Sequence, residues 1–179
     1  MRKDSKYFLD ILSRYFILVL AALPNLAIFY FIFTPLTIYG VYFLLKLFFP
    51  VLLSGNSITL NNNLFISIIP ACVAGAAYYL LFMLSMSIPN IKISKRIFLI
   101  LISFFSFLIV NILRIFLLSV LYFNNFPFLD FLHKFLWYFG STILTVGIWF
   151  LEVYLFKIKE LPFYSDLRYL YKKSLFSKR

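Results

Sequence analysis

The chain has 179 residues, of which 64% are hydrophobic, 22% aromatic and only 13% charged. Soluble domains average about 45–50% apolar and about 25% charged residues, so composition excludes the soluble globular class, and five glycines exclude a collagen-like chain. Seventeen Lys and Arg against six Asp and Glu give a net charge of +11; on a soluble protein that balance points to nucleic acid. Here the charges gather mostly at the ends of the chain, where they read as membrane orientation and not as a nucleic-acid surface. With a mean hydropathy of +0.98, the expected fold class is all-α: a polytopic transmembrane helix bundle of about five spans, within roughly four to six, forming one membrane-embedded domain over residues 1–179.

Taken in chain order, residues 1–14 (MRKDSKYFLDILSR) form a basic, partly amphipathic N-terminal segment. No small-residue cleavage site follows the apolar run after it, so the segment reads as retained. An apolar stretch runs from Tyr15 to Phe33, interrupted by Pro24 and Asn25. Thr34-Pro35 punctuates it, and Leu36 to Leu53 forms a second stretch carrying Lys46. Each approaches the roughly 20 residues that cross a hydrocarbon core, and Pro24 is expected to kink the first, as neighbouring helices allow in a bilayer.

Residues 54–67 change character. Ser-Ile-Thr-Leu and Leu-Phe-Ile-Ser flank Asn61-Asn62-Asn63, a β-type alternation around a turn signal that predicts a short extramembrane β-hairpin-like segment. A third span is expected from Ile68 to Ile88, before Pro89. The loop 90–96 follows, then a fourth span, Ile97–Phe123, containing Arg114. The loop 124–134 leads to a fifth span, Phe135–Phe156, and the basic tail 157–179 is expected on the cytoplasmic side.

Orientation follows from Lys and Arg asymmetry. Lys92, Lys95 and Arg96 mark the 90–96 loop, and the tail carries seven basic residues, whereas 54–67 has none and 124–134 has only Lys134. The hairpin and the His133 loop therefore face the extracytoplasmic side. The N-terminal segment, with Arg2, Lys3, Lys6 and Arg14, also favours the inside. That requires an odd number of crossings before residue 54, whereas two apolar stretches precede it. Two alternatives stand: an N-terminus on the outer side, or a re-entrant or interfacial piece within residues 1–53.

One cysteine, Cys72, and one histidine, His133, exclude an intramolecular disulfide and a dedicated metal site, and no cofactor is expected. Alone, each has a bland reading, the thiol as a small hydrophobe and the imidazole as an interfacial polar tip. Arg114 is different, because an Arg inside a span costs at least about 2.5–3.5 kcal/mol on insertion scales and reads as functional by default. Counting along the spans brings Cys72, Arg114 and His133 to one leaflet. Ala71/Gly75 and Cys72/Ala76 are small pairs four apart that let another helix approach. Asn111, three residues before Arg114, is placed to hold the guanidinium. Asp130 is placed to orient His133, and Trp137 to anchor or wall the site. A helix N-terminus and a nearby cation would both favour the Cys72 thiolate.

These residues occur in a recognisable order. Ala71-Cys72-Val73-Ala74-Gly75, Asn111-Ile112-Leu113-Arg114-Ile115 and His133 before a Trp-bearing last span resemble the exosortase/archaeosortase family, as do TPLTIYG, AYYLL and SDLRYLY among its small archaeal (pacearchaeosortase-like) members. The resemblance covers roughly residues 14–171. It implies a membrane cysteine transpeptidase or protease that cuts a C-terminal sorting signal (short motif, transmembrane helix and basic tail) on the outer face and passes the exported protein to a lipid anchor. It further implies Cys72 as nucleophile, Arg114 at the oxyanion or substrate carbonyl, and His133 as general acid/base. The implied partners are the sorting-signal helix of the substrate and a membrane lipid as acceptor, with no nucleic acid. Val73 stands where many members have Ser, and His133 where some archaeal members have Arg. The 54–67 hairpin is a candidate for binding the extended motif by strand addition. Two other readings stand beside the enzyme: a small transporter or substrate-capture subunit in which Arg114 binds an anion, and a structural partner in which Arg114 pairs with an acid on another chain.

Overall fold

The computed structural model describes residues 2–23, 25–60, 64–89, 91–158 and 162–173. Pro24, with its expected kink, and the turn residues Asn61, Asn62 and Asn63 lie outside them. Helices α1 (Arg2–Ala22) and α2 (Ala27–Phe48) lead into three strands, β1 (Val51–Ser54), β2 (Ser57–Leu60) and β3 (Leu64–Ser67). A single turn, α3 (Pro70–Val73), precedes α4 (Gly75–Met86), and α5 (Ile93–Phe123) follows. Then α6 (Leu129–Phe135), a π-helical turn (Leu136–Gly140) and α7 (Ser141–Leu155) form one continuous rod, and α8 (Tyr164–Lys173) closes the described chain.

Among the described residues three helices are long and apolar enough to cross a membrane: Ala27–Phe48, Ile93–Phe123 and Leu129–Leu155. Pro70–Met86 is a shorter apolar segment, and α1 is not among the candidate spans. The expected first span, Tyr15–Phe33, is not one element. It breaks at Asn25 and Leu26, both with positive φ, because a prolyl neighbour and an Asn tolerant of the left-handed region favour a break over a continued helix. Thr34-Pro35, expected to separate two spans, lies inside α2. Pro35 removes one backbone donor there, the one that would reach the Phe31 carbonyl. The second stretch ends early, since residues 51–53 belong to β1. Among the described residues one candidate span, α2, precedes the sheet, where two apolar stretches were expected.

The core lies where α2, α4 and α5 cross. Phe33 stacks on Tyr78 at a centroid distance of 3.6 Å, and Phe104 and Phe107 meet Tyr78 edge-on, the geometry that ring quadrupoles favour. The inward stripe of α5 is Arg96, Leu99, Ser103, Phe107, Asn111, Ile115 and Ser119, spaced by three or four residues as one helix face requires. Its outward face exposes Phe98, Leu101, Phe105, Ile109, Leu113 and Leu117. Polar groups thus face inward and apolar ones outward, as a lipid-facing surface demands. Within the bundle, the Ser103 hydroxyl donates to the buried Glu152 carboxyl at 2.5 Å. Lys46, expected to snorkel or meet a lipid phosphate, lies over the Tyr42 ring, 5.5 Å from its centroid.

The end of the bundle opposite the sheet is held by charge. The carbonyl of Met86, at the last turn of α4, accepts from Arg96 at 2.8 Å and from Arg14 at 3.4 Å, and Arg96 also donates to Ile88 at 3.0 Å. Cations are the natural caps of a helix C-terminus. Arg14, 3% exposed, pairs with Asp166 of α8, 1% exposed, at 3.1 Å, and with Asp10 at 3.0 Å. Tyr7 and Tyr15 donate their hydroxyls to the same Asp166 carboxylate. The tail helix is thereby clamped to α1.

Removing one member of a buried ion pair leaves the other uncompensated, a cost of about 3–5 kcal/mol. Asp166→Ala should accordingly lower the thermal midpoint of the detergent-solubilised protein, and an unchanged circular-dichroism melt would contradict the clamp. Burial and the neighbouring Asp166 carboxylate push the Tyr7 phenol up to about 12. A phenol whose folded value exceeds its unfolded value of about 10 stabilises fully below pH 10 and loses that contribution as pH rises toward 12. The alkaline decline of stability between those limits should be shallower in Tyr7→Phe, measured by chemical denaturation at stepped pH.

Candidate functional site

The strand-to-helix junction builds the site. The Ile68 N–H donates to the Asn56 carbonyl at 2.9 Å, and Ile69 is extended. Pro70 then opens the turn, its fixed φ suited to a first helical position. Cys72 sits on this single turn, its N–H bonded to the Ile69 carbonyl at 2.8 Å. Ala74 ends it with φ 58° and ψ 48°, a left-handed conformation that costs an L-residue roughly 1–2 kcal/mol. The expected third span is therefore two helices with a break, and the two small pairs do not lie along one continuous helix. The thought that a helix N-terminus supports the thiolate lapses with it, since Cys72 rides a four-residue turn and α4 begins beyond it at Gly75.

The break interrupts the hydrogen-bond ladder: Ala77 donates to Ala74 instead of to the Val73 carbonyl, and among the described residues no backbone N–H across the break takes up the Cys72 carbonyl. The stripe of α5 takes up both. Asn111 Nδ2 donates to the Cys72 carbonyl at 3.0 Å and to the Val73 carbonyl at 3.4 Å, and Arg114 Nη2 donates to the Cys72 carbonyl at 3.3 Å. Asn111 thus does not hold the guanidinium, as the sequence suggested: both side chains are donors with a common acceptor. Gly75 admits α2 at the break, since a Cβ there would lie 2.7 Å from Cζ of Tyr30.

The other arm of Arg114, Nη1, donates to the Ser141 hydroxyl, which donates in turn to the Leu136 carbonyl at 3.4 Å. Ser141 follows the π-helical turn, where one extra residue per turn rotates the rod and brings a hydroxyl toward α5. Sequence reasoning missed Ser141, because a fixed 3.6-residue period cannot locate a π-turn. Two hydrogen bonds to neutral oxygens thus hold the guanidinium, and three of its five N–H groups remain beyond those two bonds.

Cys72, Arg114 and His133 border a common cavity of about 380 Å³ together with β3, and all three also border an adjoining cavity of about 140 Å³. Trp137 walls the smaller one. His133 is exposed on α6, and no hydrogen bond holds its ring among the described residues. Asp130 borders the larger cavity, but its carboxylate bonds Lys134 at 2.6 Å and does not orient His133. The i,i+4 spacing on α6 favours that partner. Among the described residues no three His, Cys, Asp or Glu side chains gather as a metal site would require.

Comparison with models of known families, with characterised proteins and with solved structures finds no match for this chain.

Replacing Asn111 by Leu keeps the size but strips the donor from two carbonyls at the break. An unsatisfied buried polar group costs about 1–3 kcal/mol, so Asn111→Leu should melt earlier than wild type by that amount. It should also change the rate at which Cys72 reacts with iodoacetamide. Wild-type values of both would show that Asn111 does not hold the turn.

Proposed function

We propose that this chain is a membrane cysteine transpeptidase of the exosortase/archaeosortase type, cutting a C-terminal sorting signal of exported proteins and transferring the product to an acceptor such as a membrane lipid. The observation that carries this reading is the single cavity bordered by one thiol, one guanidinium and one imidazole from three separate elements. Arg114 is fixed beside the turn that carries the thiol by its bonds to Ser141 and the Cys72 carbonyl.

The chemistry would run as follows. The Cys72 thiolate adds to a backbone carbonyl carbon of the substrate, forming a C–S bond and a tetrahedral oxyanion. The remaining N–H groups and charge of Arg114 oppose that negative charge as it develops. The intermediate collapses with loss of the amine, which takes a proton from His133, leaving a thioester. An amine, hydroxyl or water attacks the thioester while His133 recovers the proton, and the sulfur leaves as thiolate. The cavity would open on the extracytoplasmic face. In support, Arg14, Arg96 and α8 lie at the opposite end, and among the described residues a single candidate span before the sheet matches the odd crossing that a basic inner N-terminus needs.

The test is co-expression with exported proteins of the same cell that end in a short motif, an apolar helix and a basic tail. Cys72→Ala should abolish shortening of their C-termini and any hydroxylamine-labile adduct on the enzyme, with its abundance unchanged. Arg114→Lys should lower processing by about 10²–10³-fold, as loss of an oxyanion donor does. Full processing by Cys72→Ala would end the proposal. The anion-capture alternative differs at Cys72 alone: it is indifferent to Cys72→Ala and still sensitive to Arg114.

A further inference from the structure

Consecutive side chains of a strand point to opposite faces, yet Phe65, Ile66 and Ser67 of β3 all border the cavity that holds Cys72. A strand meets a cavity with three successive residues through its edge. The sheet order is β1-β2-β3, so this edge has no paired strand among the described residues. The phase of the ladder says which groups it presents. Ile68 donates to Asn56 at 2.9 Å, and the register pairs Ile66 with Ile58 and Leu64 with Leu60. In an antiparallel ladder these are the alternate residues that exchange both hydrogen bonds with the partner strand. Phe65 and Ser67 therefore turn their N–H and C=O groups away from β2, and no other backbone bond takes them up among the described residues.

We infer that the free edge of β3 binds the backbone of an extended peptide, which adds as a fourth strand and brings one of its carbonyl carbons to Cys72. The inference rests on the cysteine-transpeptidase reading and specifies how its substrate is held. Main-chain bonds to Phe65 and Ser67 supply sequence-tolerant affinity, and every second side chain of the guest enters the cavity. Ile69, Ile115 and Leu118 make that cavity largely apolar, with the Ser119 side chain at its wall, so small or apolar residues at alternate positions are the fitting chemistry.

The full chain in nanodiscs tests this by its rate of Cys72 modification, read by intact mass. The probes are iodoacetamide and a tetrapeptide vinyl sulfone, acetyl-Val-Ala-Val-Ala, with four analogues each N-methylated at one amide. N-methylation removes a single backbone donor. Strand addition predicts that the tetrapeptide outpaces its N-methyl analogues by tenfold or more at alternate amides and hardly at all at those between. Ser67→Pro deletes one outward N–H at a strand edge, where Pro is accommodated. It should erase the peptide's advantage and leave the iodoacetamide rate as in wild type. Equal sensitivity at every amide, or none, overturns the inference even if Ser67→Pro fails to fold. Normal iodoacetamide reactivity with no alternation removes the strand site alone. A Cys72 inert to both probes removes the cysteine reading and this inference with it.

Discussion

Two carbonyl groups have to be satisfied inside an apolar bundle, and much of the site follows from how that is done. In lipid, an unpaired backbone group costs several kcal/mol, and the left-handed Ala74 interrupts the ladder at Cys72 and Val73. Water is the ordinary remedy on a soluble protein. Here the remedy is a polar stripe on α5, and the residues that reach the break, Asn111 and Arg114, lie three apart on one face. The interaction fixes the turn that carries the thiol, and it also accounts for a cation deep in a span.

Arg114 is consequently both a structural donor and a charge on the cavity that the thiol borders. A guanidinium suits this double use because it is planar, stays charged and offers several donors in a rigid fork. One arm secures the backbone of Cys72 and the other secures the hydroxyl beyond the π-turn. The fork therefore ties α3, α5 and the last rod to one another at the height of the cavity. A lysine ammonium, a point charge on a flexible stem, could neutralise the same region without bracing it.

Much of this was legible in the sequence, and the rest was hidden for identifiable reasons. Depth counting brought Arg114 and His133 to a common level because α5 and the last rod are continuous, so position along the chain converts directly to height; Cys72 met them because it precedes the break in its own segment. Alternation around the asparagine run marked two of the three strands, whereas β1 was absorbed into an apolar stretch that composition alone cannot divide. The division of α1 from α2 was hidden in the same way, as hydropathy is nearly continuous from Tyr15 to Phe33 and registers no change of φ. Ala74 gave no signal, since alanine is the best helix former and nothing local announces its left-handed turn. The Arg14–Asp166 pair joins residues 152 apart, and no periodicity links positions so distant. Asp130 and Lys134 stand four apart, a spacing that favours their ion pair and that the expected pairing of Asp130 with His133 left out.

The division of labour between Asn111 and Arg114 is what makes structure and chemistry separable here. If Arg114 alone capped the break, its loss would disorder the turn and silence the thiol together, and no substitution at that position could tell an oxyanion donor from a brace. Asn111 takes the shorter bond to the Cys72 carbonyl and the additional one to Val73, so the turn has a neutral support that does not depend on the guanidinium. The charge at Arg114 is therefore more than the backbone needs. A neutral amide at that position would satisfy a carbonyl at far lower cost of insertion; the guanidinium adds the second arm, on Ser141, and N–H groups that remain beside the cavity it borders with Cys72.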